Sequence, residues 1–343
     1  MAAKWKPPFA EKISVNNLAL RIVKDMIERC GELNIEVNEL KNGTTIVDCG
    51  INAVGGFEAG ILATKVACGG LLEACITETS YGGLTLPTLF MRTDNPALSI
   101  AVCQSNWFGL FPSLFAMKKT EYSALSLGPA KALAQEPKEV FDKVDYKDKS
   151  DVGVLVLQAD NFPDEKVSEY IASKCKISPE NLYLVMAPTA SVAGSVQVSA
   201  HVLEDSLWRL TDYLDYEYSK VKYITGSSPI SPVYPEIWRR PGITPDDMIR
   251  NAGRIHFYVY SSEGDDLQKI ADEMIIEKTQ AFGKPFFEIL NSGIFSKGLD
   301  KKTLGREGWT YVIAEAMVTD LRTGKVFKAG KIHADLIRKF MGI

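Results

Sequence analysis

Apolar and polar positions alternate with two different periods along the chain, and the switches between them mark out the elements. In "SVNNLALRIVKDMIERCGELN", Leu18, Ile22, Met26 and Ile27 recur at helical spacing behind a possible cap at Ser14 or Asn16. "IEVNEL" and "TTIVDCGI" read as two strands around "KNG", whose Asn-Gly favours a tight turn. "FEAGILATKVACGG" is a second helix that Gly69-Gly70 stops. "ACITETSYGGLTLPTLFMRT" predicts two strands joined at Gly82-Gly83, and "DNPALSIAVCQSNWF" a loop and helix. "VGVLVLQA" is almost continuously apolar, which suits a strand covered on both faces. A helix "DEKVSEYIASKCKI", a strand "ENLYLVMA" and a longer helix over 195–214 follow. "YSKVKYITGS", a proline-rich stretch, a helix from about Pro245, the strand "RIHFYVYS" and the helix "DDLQKIADEMII" come next. The end holds the strands "WTYVIAEAMVTDL" and "KVFKAGKI" around "RTGK".

Helices and strands alternate throughout, so the fold class is α/β (α+β by some schemes). Residues 134–151 carry the densest charge and suggest a domain boundary or an exposed crossing. This partition gives an N-terminal α/β domain over 1–140, which strands from 305–343 could complete. The second α/β domain then covers 150–300.

The helix over 195–214 carries the chemistry. Val196, Ala200, Leu203, Leu207, Leu210 and Leu214 form one apolar stripe. Gln197, His201, Glu204 and Trp208 form a second stripe one residue out of phase. Val198 and Val202 make a further side apolar, and no lysine or arginine occurs between 195 and 208. A polar stripe so flanked is read as buried or lining a cleft, where its groups need partners. The alternative is the wet edge of an amphipathic helix. In the preceding loop Ser191, Gly194 and Ser195 are small, and the first N–H groups of the helix offer a site for an anion or a polarised oxygen. Ser195 could equally serve only as a cap. A glutamate in an apolar cleft can carry protons near neutrality, with a neighbour at i−3 to orient it. Such an arrangement suits water activation at an electrophilic carbon without a metal.

Composition narrows the classes further. The 343 residues are 46% hydrophobic and 24% charged, with a net charge of −4 and no basic run, so no nucleic-acid partner is expected. The six cysteines make no C-x-x-C pair and read as buried thiols. "MAAKWKPPFAEK" has lysines but no apolar run of a secretory signal after them. The most apolar window, "NWFGLFPSLFAM", is short and broken by Pro112, so no membrane span and a cytoplasmic location are expected. Dinucleotide, P-loop, zinc-protease and nucleophile-elbow motifs are missing. The three histidines lie far apart in sequence, so no metal site is expected.

"NGTTIVDCGINAVGGFEAGILATKVACGGL", "APTASVAGSVQVSAHVLE", "GSSPISPVYPE", "GRIHFYV", "GKPFFEI" and "RTGKVFKAG" stand in order from about residue 13 to 343. Together they resemble the methenyltetrahydromethanopterin cyclohydrolase family. The resemblance implies two mixed α/β domains with the pterin in a cleft between them. It implies a homotrimer with no permanently bound cofactor, the tetrahydromethanopterin derivative being the substrate. The implied activity interconverts the N5,N10-methenyl cation and the N5-formyl compound by metal-free hydrolysis, within one-carbon metabolism such as methanogenesis. The family's proton-shuttling carboxylate falls on Glu204. Its arginine three residues earlier is His201 here, a non-conservative exchange. "PGITPDDMIRNAGR" also departs from the pattern except at Gly253 and Arg254, and "IFSKGLDKKTLGREGW" is unusual.

His201 can supply the positive charge as imidazolium, share proton transfer as imidazole, or mark a homologue that acts on another reduced pterin or only binds one. Gln197, Ser195, Gly194, Ser191, Thr189 and Gln104 are candidates for holding the pterin. Lys131, where the family's "GPARA" has arginine, joins Arg92 and Arg254 as candidate cations for the anionic coenzyme tail.

Overall fold

The computed structural model describes residues 4–106, 122–237, 240–297 and 301–343. All but the first residue of the apolar window around Pro112 lies outside these. The strands in chain order are β1 (Glu36–Glu39), β2 (Thr45–Asp48), β3 (Glu73–Tyr81), β4 (Leu84–Thr93), β5 (Leu125–Leu127), β6 (Gly153–Gln158), β7 (Leu182–Met186), β8 (Val221–Pro229), β9 (Arg254–Val259), β10 (Glu315–Asp320) and β11 (Val326–Gly330). They form a five-stranded sheet of order β1-β2-β7-β6-β5 and a six-stranded sheet of order β11-β10-β9-β8-β4-β3. Both sheets mix parallel and antiparallel pairs, and the fold is α/β with two compact units.

The first unit comprises residues 1–72 and 97–197 and contains the five-stranded sheet. The helix Val15–Glu28 opens with the Ser14 side chain accepting from the Asn17 N–H, one of the two caps expected. Val154, Val156, Val185 and Val47 pack on one side against the helices Val15–Glu28 and Phe57–Ala67. Leu155, Leu157, Leu184 and Ile46 pack on the other side with Ile171 and Ala172 of the helix Glu165–Cys175. Neighbouring strand residues point to opposite faces, and both faces here are covered. This is why "VGVLVLQ" is apolar without interruption.

The second unit comprises residues 73–96 and 198–343. Its sheet alternates: Ile255, Phe257 and Val259 of β9 are buried, while Arg254, His256 and Tyr258 are half-buried. The helices His201–Trp208 and Pro245–Ala252 pack on β8, and Leu267–Met274 packs on β10 and β11. A terminal helix, Ala334–Met341, packs on Pro245–Ala252; the hydrophobic pattern did not announce it.

The division differs from a single boundary at 140–150. The β3–β4 hairpin pairs with β8 and belongs to the second unit, while the first unit runs on to Gln197. The strands of 305–343 join β9 rather than the N-terminal sheet. The charged stretch is no linker, because Val140, Phe141, Val144, Tyr146 and Asp148 within it are buried. The Asp148 carboxylate accepts from the Asn16 backbone N–H at 2.8 Å and from Asn16 Nδ2 at 2.7 Å, which binds the stretch to the first helix. Of the cysteines, Cys49, Cys68, Cys103 and Cys175 are buried, Cys30 is half-buried and Cys75 is exposed on β3.

Candidate active site

β7 ends at Met186, and the chain turns through Thr189 and Ser191 into a helix that starts at Val192. Ser191, not Ser195, provides the cap: its Oγ accepts from the Gly194 N–H at 3.0 Å and donates to the Pro188 carbonyl at 2.8 Å. Ser195 lies inside the first turn and is fully buried. A Cβ at position 194 would stand 1.9 Å from the Pro188 carbonyl oxygen, so the turn closes only around glycine. Thr189 and Ser191 are also buried beneath the turn.

The helix expected over 195–214 occurs in three pieces. Val192–Ser199 and His201–Trp208 are α-helical, with a break at Ala200, and Arg209–Tyr213 is a π-helical turn. In the first piece Gln197 is fully buried, and its Oε1 accepts from Gln158 Nε2 at 2.5 Å. Gln158 closes β6 and was not singled out by the sequence, where a lone glutamine after a run of valines and leucines carries no signal.

In the second piece His201 and Glu204 are one turn apart. His201 Nδ1 lies 3.1 Å from Glu204 Oε2, with the side chains 14% and 6% exposed. Burial works against the imidazolium, but the bond to Glu204 and the charges of Glu204, Asp205 and Asp246 outweigh it. The net effect raises the pKa of His201 above its ordinary value. Asp205 is pushed well above the usual carboxylate range by burial and by Glu204, with His201 opposing. Asp246 is pushed up to about 6, chiefly by burial, with His201 opposing and Asp247 adding to the rise. The polar stripe is thus held among protein groups rather than forming a wet helix edge.

Asp246 comes from the helix Pro245–Ala252. A capping box fixes its start: the Thr244 Oγ1 accepts from the Asp247 N–H, and the Asp247 carboxylate accepts from the Thr244 N–H. The other Asp247 oxygen accepts from the Phe286 N–H at 2.7 Å. One turn on, Arg250 is buried, and its guanidinium donates to the carbonyls of Trp309, Ala281 and Gly308 at 3.3–3.4 Å. Burial lowers its pKa, with Asp247, Asp246 and Asp205 pulling the other way. Asp205, Asp246 and Arg250 are therefore site neighbours that sequence reasoning passed over. In sequence, Asp246 and Arg250 at i, i+4 look like an ordinary solvated pair.

The candidate cations each have partners within the protein. Lys131 is fully buried, and its ammonium donates to the Ser105 carbonyl and, at 3.1 Å, to Ser105 Oγ. Its ammonium binds the residue that follows the π-helical stretch Ala97–Gln104. Gln104 is buried in the same place. Arg92 is exposed on β4 across from Glu73 of β3. Arg254 opens β9, 3.7 Å from Glu315 and over the Tyr81 ring.

The family model "Cyclohydrolase (MCH)" matches residues 14–340. A methenyltetrahydromethanopterin cyclohydrolase of Methanocaldococcus jannaschii is 36% identical over 333 residues, covering 96% of this chain and 98% of the relative. A protein of the same name from Methanothermobacter marburgensis is 37% identical over 336 residues, covering 96% of this chain and all of the relative.

Proposed function

The chain belongs to the methenyltetrahydromethanopterin cyclohydrolase family, and we propose that it is an enzyme interconverting N5,N10-methenyltetrahydromethanopterin and the N5-formyl compound with water. The observation that carries this reading is the buried carboxylate of Glu204 with an imidazole nitrogen 3.1 Å away.

Water attacks the amidinium carbon of the methenyl cation, and Glu204 takes one of its protons as general base. Glu204 returns that proton to N10 as the C–N10 bond breaks. The remaining hydroxyl becomes the formyl carbonyl on N5 and releases the second proton. His201, with Nδ1 3.1 Å from Glu204 Oε2, pairs with the carboxylate as imidazolium and orients it toward the water. General acid–base assistance of this kind contributes about 10²–10⁴-fold.

A second reading has one observation in its favour: a titrating histidine stands where the family pattern has a permanent cation. A homologue with that change could bind a reduced pterin without hydrolysing it. Mixing the purified protein with methenyltetrahydromethanopterin and following the methenyl absorbance separates the two. Catalytic loss of absorbance supports the cyclohydrolase; saturable binding with no loss supports the alternative.

A further inference from the structure

We propose that the stacked pair Trp208–Tyr311 is the specificity-determining subsite that receives the aryl ring attached to the reacting amidinium of the substrate. Trp208 follows Glu204 by four residues on one helix, so the two side chains share a face about 5–6 Å apart. The indole lies on the Tyr311 ring with centroids 4.1 Å apart and planes 27° apart. Both residues are only half-buried.

The pair is held in place from several directions. Tyr311 has φ +59°, a left-handed conformation that a bulky residue keeps only where its surroundings impose it. Arg209, next to Trp208 and itself buried, donates from Nη1 to the Gly305 carbonyl at 2.5 Å. A Cβ on Gly305 would stand 3.0 Å from the indole Cζ3, so this glycine lets the backbone close on the ring. Arg250 holds the carbonyls of Gly308 and Trp309 just before Tyr311. Two buried guanidiniums thus fasten the segment that carries Tyr311, and a strained backbone position completes the stack. Simple core filling needs none of this from a half-exposed pair.

The chemistry fits one part of the substrate. An indole face attracts flat rings, and more strongly those conjugated to positive charge. The reacting carbon bridges a pterin nitrogen and an arylamine nitrogen. The reduced ring that carries the pterin nitrogen is puckered, so the aryl ring is the flat aromatic group directly beside that carbon, within about one helical pitch, ~5.4 Å, of a carbon placed at Glu204.

This rests on the cyclohydrolase reading, and the test separates the two. Trp208→Phe keeps an aromatic face, and Trp208→Leu keeps apolar bulk without one. With methenyltetrahydromethanopterin as substrate, KM should be about three- to tenfold higher for W208L than for W208F, with kcat within about twofold. Turnover by the wild type with equal KM in the two variants overturns the aromatic subsite and leaves the cyclohydrolase standing. A wild type that never consumes the methenyl absorbance overturns both.

Discussion

His201 and Glu204 face each other across 3.1 Å at the start of one helix, and the charges of Asp205 and Asp246 also act on the same imidazole. One ring thus stands amid more acid than it can neutralise. The imidazolium is favoured, while the Asp205 carboxyl is pushed well above its usual range and that of Asp246 up to about 6. Glu204 is the member with the histidine nitrogen in direct reach.

Glu204→Gln keeps the shape of the side chain and removes the proton acceptor. Turnover should fall at least ~100-fold, while the affinity for the methenyl compound, measured by equilibrium binding, stays near wild type. Near-normal turnover in E204Q would remove Glu204 from the mechanism.

His201→Arg tests whether the charge must titrate. Because the pKa of His201 is raised above 6.5, wild-type activity that depends on imidazolium should persist through pH 6.5 and decline on the alkaline side of it. Arginine stays charged over this range, so the kcat/KM profile of H201R should lose that decline between pH 5 and 8. An unchanged decline assigns it to another group.

Asp246→Asn addresses stability. The folded protein holds the Asp246 proton up to about pH 6, against 3.8 for the ordinary group. Between these values the native state binds more protons than the unfolded one, so the stability contribution of this group falls as pH rises. D246N removes that loss. Its melting temperature should exceed the wild type's by about 2–4 °C at pH 7, and the advantage should vanish below about pH 4. A variant that melts lower at pH 7 contradicts this.

Gln158→Ala should cost about 1–3 kcal/mol, because it removes the amide that donates to the buried Gln197 oxygen. The double variant Gln158→Leu with Gln197→Leu should recover part of that cost. Urea titrations of the set give the coupling between the two amides. Additive losses would show that the pair does not act as a unit.

The regular elements were legible where one physical cause dominated. "VGVLVLQ" announced a strand buried on both sides because each face meets a helix layer. The terminal helix Ala334–Met341 and the strand Leu125–Leu127 are short, and their packing comes from distant partners such as Pro245–Ala252 and β6. The charged segment at 134–151 was legible as polar but not as packed, since Asp148 is stabilised by Asn16, far away in sequence. Helical spacing singled out Gln197, His201 and Glu204, which lie on one local run of sequence. Asp246, Arg250 and Gln158 reach their places through tertiary folding, and nothing local marks them. That Lys131 is fully buried against Ser105 was not legible, because sequence carries no measure of burial.

The excursion of residues 73–96 into the second sheet has a consequence for synthesis. As the chain leaves the ribosome, β3 and β4 emerge before most of the first unit, yet their neighbour β8 is not made until residues 221–229. Until then the hairpin is a two-stranded ribbon, marginal on its own in water, with the β4 edge open to pairing by any other strand. The first unit can condense only after its sequence has resumed at residue 97 and run to Gln197. Misassembly during production should therefore begin at β4, and a fragment starting at residue 198 should expose β8 and aggregate unless the hairpin is supplied in trans.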